Sequence, residues 1–194
     1  ERMRNECKSL GNQRTPTSQW TVTGAGAAIL SQKGLGPYIT HITPGLITDM
    51  GIRDANNMGA AMAPAALSTL LAHFEDTGRT PEYYDAIITG DLGHIGKSIL
   101  IDLAKSKGLD ISGNYNDCGV LMFDKNTQDT HAGGSGCACI ATVFSGYLYK
   151  LMKQGSIKKL LLIATGALMN STTSQQGESI PGIAHAISIE MEKG

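Results

Sequence analysis

Short apolar segments alternate with segments that carry apolar residues at helical spacing. The apolar segments are rich in β-branched and aromatic residues, and several of them alternate apolar with polar positions, which is typical of β-strands. The first predicted strand is "QWTVTGAGAAILS" (Gln19–Ser31), where the glycines also indicate a close approach of another backbone segment. Further strands are predicted at Tyr38–Thr43, Tyr84–Asp91, 117–124, 158–168 and Ala184–Met191.

Three segments between these strands are predicted to be helices. In "APAALSTLLAHFEDTG" (63–78), Pro64 suits the first helical turn and Gly78 ends the apolar spacing. The segment Ile95–Gly108 follows the third predicted strand, and the segment 137–155 precedes the apolar run "KKLLLIATGAL". Alternating strands and helices predict a layered α/β fold. The apolar run is expected to be buried on both faces, and the alternating last strand to be antiparallel or at an edge.

Composition excludes several classes of function. The 194 residues carry a formal net charge of −1 and no Lys/Arg run, which argues against a nucleic-acid partner. No apolar run reaches the length of a membrane span, and we identify no signal peptide. Four cysteines, at 7, 118, 137 and 139, are too few for a disulfide framework, which favours a reducing compartment. The chain begins with Glu1, so we expect a processed chain or a fragment.

The stretch "HAGGSGCACIATVF" (His131–Phe144) is the first candidate site. Gly133, Gly134, Ser135 and Gly136 precede a predicted helix, whose free N–H groups could bind an anion. The alternative is that these glycines only permit a sharp turn and close packing. Cys137 and Cys139 lie two apart on a helix and point in different directions, so we predict no metal site. A thiol at the helix start could be a nucleophile, but packing is the simpler role for Cys137.

The stretch "GDLGHIG" (Gly90–Gly96) is the second candidate, because it joins a predicted strand to a helix. Strand ends of open α/β sheets face the ligand crevice, so Asp91 and His94 are candidates for acid, base or ligand contacts. The alternative is that Asp91 caps the helix and His94 is a surface residue. The remaining histidines outside the two stretches are predicted to be structural: His41, His73 and His185.

The motifs "VTGAGAAILS", "GDLGHIG" and "HAGGSGCACI" resemble those of the thiolase-fold condensing enzymes. This resemblance implies an α/β layered sandwich with a mixed five-stranded sheet and an incomplete first half. Residues 1–52 would be the tail end of the first thiolase-like half, and residues 53–194 would be the second half. His131 resembles the histidine turn of the second half of these enzymes.

A closer resemblance is to one sporulation branch, the stage V sporulation protein AD family, through "DANNMGAAMAPAA", "IITGDLGHIGK" and "DCGVLMFD". It implies a protein about twice this length that binds dipicolinic acid, with or without calcium, and assists its uptake into the developing spore. It further implies channel subunits as partners, a homodimer at full length, no cofactor, and a peripheral position at the inner spore membrane.

The pattern departs from the condensing enzymes at the catalytic positions. The His131 turn is one residue shorter, and neither Asp91 nor His94 restores the second polar pair of ketoacyl synthases. A Claisen condensation needs polar groups that stabilise an oxyanion or carbanion, so the resemblance implies a degenerate pocket reused for binding. The alternative is an active acyltransferase with a nucleophilic cysteine upstream of Glu1. In either case the chain alone is expected to expose apolar surface and aggregate, because the strand at Gln19 would lack neighbours.

Overall fold

The computed structural model describes residues 14–192, so Cys7 and its predicted role lie outside the described part. The strands are β1 (Trp20–Thr21), β2 (Tyr38–Thr43), β3 (Ala86–Thr89), β4 (Tyr115–Asp117), β5 (Gly134–Ser135), β6 (Lys159–Ala167) and β7 (Gly182–Glu190). The helices are α1 (Met58–Thr77), α2 (Gly93–Ser106), α3 (Cys118–Leu121), α4 (Ala138–Val143), α5 (Tyr149–Lys153) and α6 (Ser171–Gln175). A wider π-helical turn, Phe144–Leu148, joins α4 to α5.

Five strands form one mixed sheet in the order β2-β7-β6-β3-β4. Strand β3 pairs in parallel with β4 and β6, whereas β7 is antiparallel to both β6 and β2. The two remaining strands, β1 and β5, form a short parallel pair. The predicted α/β fold with a mixed five-stranded sheet is therefore confirmed.

The sheet is covered on both faces, as the side chains of β6 show. Leu161 and Ile163 join the core formed with α1 and α2, whereas Leu160 and Leu162 join a second core formed with α4 and α5. Successive strand residues point to opposite faces, so this division places one helical layer on each side of the sheet. The expectation that this apolar strand is buried on both faces is confirmed.

Helix α1 begins earlier than the sequence predicted. It starts at Met58, because the Asn57 side chain accepts a hydrogen bond from the backbone N–H of Ala60, and Pro64 lies inside the helix rather than in its first turn. The predicted end is correct, since Gly78 adopts a left-handed conformation with φ of 65°.

The predicted strand at 117–124 is wrong. Strand β4 ends at Asp117, and residues Cys118–Leu121 form a short helix instead. The Asp117 side chain accepts hydrogen bonds from the backbone N–H groups of Gly119 and Val120, which is N-capping chemistry. The apolar residues after Asp117 therefore belong to a helix start, although their composition favours a strand.

The predicted strand at Gln19–Ser31 is also largely wrong, because only Trp20 and Thr21 are paired. Residues 23–35 are exposed irregular chain, of which Gly24 and Gly26 lie against α4. The close approach that the glycines predicted is confirmed: a Cβ on Gly26 would lie 2.2 Å from the carbonyl oxygen of Ala141. No strand within the described part of the chain lies beside residues 23–31, so their hydrogen-bonding groups form no ladder.

Strand β7 is antiparallel, as predicted, but it lies inside the sheet between β2 and β6. The sheet edges are β2 and β4. Strand β2 comes from the segment 1–52, yet it belongs to the same sheet as strands from the segment 53–194. The division of the chain at residue 52 stays a prediction. Among residues 14–192, no helix combines the length and apolar character required to cross a membrane.

Candidate functional site

The candidate site lies where β3 and β4 end and the glycine turn 131–136 passes beside them. Strand β3 ends at Thr89 and is followed by Asp91, and β4 ends at Asp117. These strands are parallel neighbours, so their carboxyl ends meet at the same edge of the sheet. The backbone N–H of His94 donates to the carbonyl of Ala132 at 2.7 Å, which connects the start of α2 to the glycine turn.

Asp91 is buried and is held by two internal donors. One carboxylate oxygen accepts from the backbone N–H of Gly136 at 2.9 Å, and the other accepts from the Thr165 hydroxyl at 2.7 Å. Asp91 therefore connects the glycine turn to β6. It does not cap α2, since the first N–H groups of that helix donate elsewhere.

Asp117 caps α2, and the sequence analysis missed this role. One of its oxygens accepts from the N–H of Gly93 and the other from the N–H of Leu92, at 2.8 and 2.9 Å. The same carboxylate accepts from the N–H groups at the start of α3 and from the Thr89 hydroxyl. Burial raises the pKa of Asp117 to about 6, against the lowering effect of the hydrogen bonds from Thr89, Gly93 and Leu92. The signal in the sequence was an Asp followed by Cys-Gly directly after a strand.

His94 lies on the first turn of α2, half-buried, beside the backbone of Gly133. Burial lowers the pKa of His94, and the positive charges of Lys125 and Lys97 lower it further. Lys97 lies one turn along the same helix face, and its ammonium donates to the Asn116 side-chain oxygen at 3.0 Å. Burial also lowers the pKa of Lys97, while the charge of Asp117 raises it. The lowered pKa favours the neutral form of His94, beside the positive charges of Lys97 and Lys125.

His131 contacts a different set of residues. Its Nδ1 lies 2.7 Å from the carbonyl oxygen of Thr15, and its Nε2 lies 3.0 Å from the carboxylate of Asp129. Its φ of 50° is a left-handed conformation, and no other non-glycine residue in 14–192 has a positive φ. One ring nitrogen therefore contacts the segment before β1 and the other contacts Asp129, and neither contacts Asp91 or His94.

The glycine turn is buried, and its backbone is largely occupied. The N–H of Gly133 donates to the carbonyl of Thr130 at 2.9 Å, and the N–H of Gly136 donates to Asp91. The carbonyl of Gly134 accepts from the Gln19 side chain at 3.0 Å, and Ser135 is only 1% exposed within β5. Gly133 and Gly136 have φ of 96° and 111°, which favours glycine. Close packing, the alternative reading of this turn, thus accounts for much of its composition, and anion binding by Gly133, Gly134, Ser135 and Gly136 stays a prediction.

The cysteines contribute packing on one side of the sheet. Cys118 and Cys139 are buried in the core beneath α4, and burial raises the pKa of both thiols far above the ordinary value. Cys137 is exposed at the start of α4. Within the described residues, no group of three or more His, Cys, Asp or Glu side chains is arranged to hold a metal ion.

Comparison with known proteins identifies the family. The family model described as "Stage V sporulation protein AD" matches residues 2–190. Stage V sporulation protein AD of Bacillus subtilis (strain 168) is 42% identical over 184 residues, covering 95% of this chain and 54% of the relative, so the chain spans about half the length of that protein. A crystal structure of 3-oxoacyl-[acyl-carrier-protein] synthase III from Aquifex aeolicus aligns with a TM-score of 0.40 and 14% identity over 77% of this chain and 44% of the synthase. On the family model and the sequence identity, the chain belongs to the stage V sporulation protein AD family.

Proposed function

We propose that this chain is part of a sporulation protein that binds dipicolinic acid in a degenerate condensing-enzyme pocket and assists its uptake into the developing spore. The observation that carries the proposal is that the candidate catalytic groups are engaged separately. Asp91 accepts from Gly136 and Thr165, while His131 contacts Thr15 and Asp129. These side chains support the backbone around the sheet edge and do not converge on one reacting atom.

Condensation chemistry would also require a thiolate nucleophile. The two buried thiols, Cys118 and Cys139, have a strongly raised pKa because they lie among apolar side chains. A thiol with a raised pKa is protonated at neutral pH and is a poor nucleophile. Cys118 and Cys139 are therefore poor nucleophiles, and acyl transfer would depend on the exposed Cys137 or on a cysteine upstream of Glu1.

The charge at the sheet edge suits an anionic ligand. Dipicolinate is a small aromatic ring with two carboxylates, and Lys97 and Lys125 supply positive charge near His94, beside the ends of β3 and β4. Hydrogen bonds between ammonium groups and carboxylates are among the stronger polar interactions in proteins. We extend the proposal to a peripheral position at the inner spore membrane, where channel subunits would be partners, and to a homodimer at full length.

The test is a calorimetric titration of dipicolinic acid into the full-length protein, with and without calcium. We expect saturable binding that weakens as ionic strength rises, because the attraction between ligand and protein is electrostatic. Benzene-1,3-dicarboxylate, which has the same carboxylates without the ring nitrogen, shows whether the heteroatom is needed.

The competing activity is tested on the same preparation by incubation with acyl-coenzyme A and mass spectrometry of the intact protein. Absence of dipicolinate binding together with a covalent acyl adduct would reverse the proposal in favour of an acyltransferase. Saturable binding without an adduct supports it.

A further inference from the structure

Strand β2, at the edge of the sheet, buries little apolar surface. Of the six residues Tyr38–Thr43, Thr43 alone is fully buried, and Ile39 and Ile42 are exposed. Within residues 14–192, β7 is the one strand that pairs with it. Burial of apolar surface is the dominant favourable contribution to folding, so polar contacts take a larger share in attaching this strand.

The first polar contact of β2 is made by Thr40. The register of β2 against β7 shifts between Ile39 and His41, so Thr40 is the extra residue of a β-bulge. Its hydroxyl donates to the carboxylate of Glu190. Glu190 is buried and lies 2.9 Å from the guanidinium of Arg79, in the segment after α1. The bulge therefore connects β2 to a buried ion pair.

The second polar contact is a chain of hydrogen bonds that runs from the same guanidinium to Thr43. Arg79 donates to the hydroxyl of Tyr84 at 2.9 Å, and that hydroxyl lies 2.6 Å from Nε2 of His73. On the other side of the ring, Nδ1 of His73 lies 2.8 Å from the Thr43 hydroxyl. Tyr84, His73 and Thr43 are all buried, so these bonds are shielded from water.

The chemistry of the donors gives this chain of bonds a direction. A guanidinium can only donate, so the Tyr84 oxygen accepts from Arg79. Within the described part of the chain, the proton of the Tyr84 hydroxyl has one acceptor within reach, which is Nε2 of His73. The neutral ring consequently carries its proton on Nδ1 and donates it to the Thr43 hydroxyl.

A second proton on His73 is incompatible with this direction, because it would place an N–H on Nε2 opposite the proton of Tyr84. Burial lowers the pKa of His73, the positive charges of Arg79 and His41 lower it further, and Asp76 has the opposite effect. The charged and titratable groups around the ring are Asp76 of α1, His41 of β2, Arg79 and Tyr84 of the segment after α1, and Glu190 of β7 beyond Arg79.

We propose that Arg79, Tyr84 and His73 form a directional hydrogen-bond relay that latches the edge strand β2 to α1, and that protonation of His73 opens this latch. In the closed form, β2 is held at Thr40 by the ion pair and at Thr43 by the His73 ring. In the open form, the contact at Thr43 is lost and β2 separates from β7 more often. This conformational device does not depend on the proposed function.

The direction of the relay is tested by NMR of the histidine ring nitrogens in the full-length protein, numbered as in this chain. Labelling of histidine with 15N distinguishes a protonated ring nitrogen from an unprotonated one, and the signal missing from His73→Gln assigns the ring. We expect His73 at neutral pH to carry its proton on Nδ1. An Nε2–H tautomer overturns the relay.

Hydrogen exchange followed by mass spectrometry tests whether the relay holds β2. We expect Tyr84→Phe to speed amide exchange of residues 38–43 about tenfold or more, because Arg79 and the His73 ring each lose a buried hydrogen-bond partner. Exchange in β6, inside the sheet, should stay close to that of the wild type. Tyr115→Phe, which removes another buried tyrosine hydroxyl, is the matched control and should leave exchange in β2 unchanged.

The opening by protonation is tested through the pH dependence of the same exchange. At pH 7, β2 should be better protected in the wild type than in His73→Gln. The ratio of the two protection factors should fall as pH decreases from 6.5 toward 4, because the folded state disfavours the protonated ring. A ratio that does not change with pH overturns the opening by protonation.

The exchange data also separate a latch from a general effect on stability. Unchanged exchange of residues 38–43 in Tyr84→Phe, or equal acceleration in β2 and β6, overturns the latch. If Tyr84→Phe does not fold, Thr43→Val, which removes the hydroxyl at the end of the strand, replaces it with the same expected result.

Discussion

His73 shows how a single buried side chain is fixed by its partners. It is completely buried in α1, with Nδ1 2.8 Å from the Thr43 hydroxyl and Nε2 2.6 Å from the Tyr84 hydroxyl. Burial, with the positive charge of Arg79, lowers the pKa of His73 to about 4. The neutral ring is therefore the form that the fold stabilises, in agreement with the structural role predicted from the sequence.

This pKa leads to a pH dependence of stability. Because the folded-state pKa lies below the ordinary value of 6.5, the contribution of His73 is complete above pH 6.5 and is lost as pH falls toward 4. Asp117 has the opposite effect on stability. Because its pKa is raised in the folded state, its protonation between pH 6 and 4 favours the folded protein. We therefore expect the stability advantage of wild type over His73→Gln, a variant that keeps Asp117, to shrink by about 2 kcal/mol between pH 7 and 4.5.

The measurement is urea unfolding of both proteins at the two pH values. His185→Gln, which changes an exposed histidine, should keep the wild-type dependence on pH. If the wild type exceeds His73→Gln in free energy of unfolding by the same amount at both pH values, the prediction is contradicted.

At the candidate site, the sequence predicted the positions of Asp91 and His94 in the fold but not several of the contacts made there. Asp91 and His94 do lie at the strand end, because a strand followed by Gly-Asp and a helix fixes that position locally. Asp117 was missed and His131 took other partners, because both depend on contacts far along the chain. The His131 ring contacts Thr15, 116 residues away, and no periodicity in the sequence encodes that pairing.

Among the elements, α1 and α2 cross at a point where neither has a side chain. A Cβ on Gly59 would lie 2.5 Å from the carbonyl oxygen of Leu92, and one on Gly96 would lie 2.8 Å from the Cα of Gly59. Both glycines are buried, so the helix backbones are in direct contact. The separation of α1 from α2, and hence the position of His94 and Lys97 on α2, depends on these two glycines.

We predict that Gly96→Ala lowers the free energy of unfolding by about 2 kcal/mol or more, because the added methyl group overpacks the crossing. Gly146→Ala is the control, since a Cβ there meets nothing within 4 Å and alanine favours a helix. It should be neutral or stabilising by about 0.5 to 1 kcal/mol. If the two substitutions change stability equally in thermal unfolding, the effect comes from helix propensity and not from overpacking at the crossing.

The elements that sequence reasoning predicted well are those whose partners are nearby. Strand β3 and helix α2 follow one another and pack locally, so apolar spacing defines both. The prediction failed at Gln19–Ser31, where composition favours a strand but a ladder needs a neighbouring strand. It also failed at Pro64, because the Asn57 cap started the helix before the proline.

On the scale of the whole molecule, a large amount of apolar surface is exposed around the edge strand β2. Ile42 is 66% exposed and Leu46 75%, and Leu35, just before the strand, is 95% exposed. An exposed edge strand with apolar side chains can pair with another chain. Surface of this kind agrees with the sequence-based expectation that the chain alone aggregates, which stays a prediction.

We expect the isolated 194-residue chain to associate at micromolar concentration, as measured by size-exclusion chromatography with light scattering. Ile42→Lys combined with Leu46→Lys should reduce association, because the charges oppose edge pairing. Ser106→Lys, at an exposed position of α2, controls for added charge and should have no such effect. A monomeric chain with a single cooperative melt would contradict this expectation.

The position of β2 in the sheet has a consequence for how the protein is made. Among residues 14–192, strand β2 pairs only with β7, and the hydrogen-bonded Thr40 and Glu190 lie 150 residues apart. During synthesis, β2 leaves the ribosome long before β7 exists, so its apolar residues await a partner while the chain between them is translated. Contacts this distant in sequence form late and slow folding. The apolar side chains of β2 therefore stay without their partner strand until β7 has been translated.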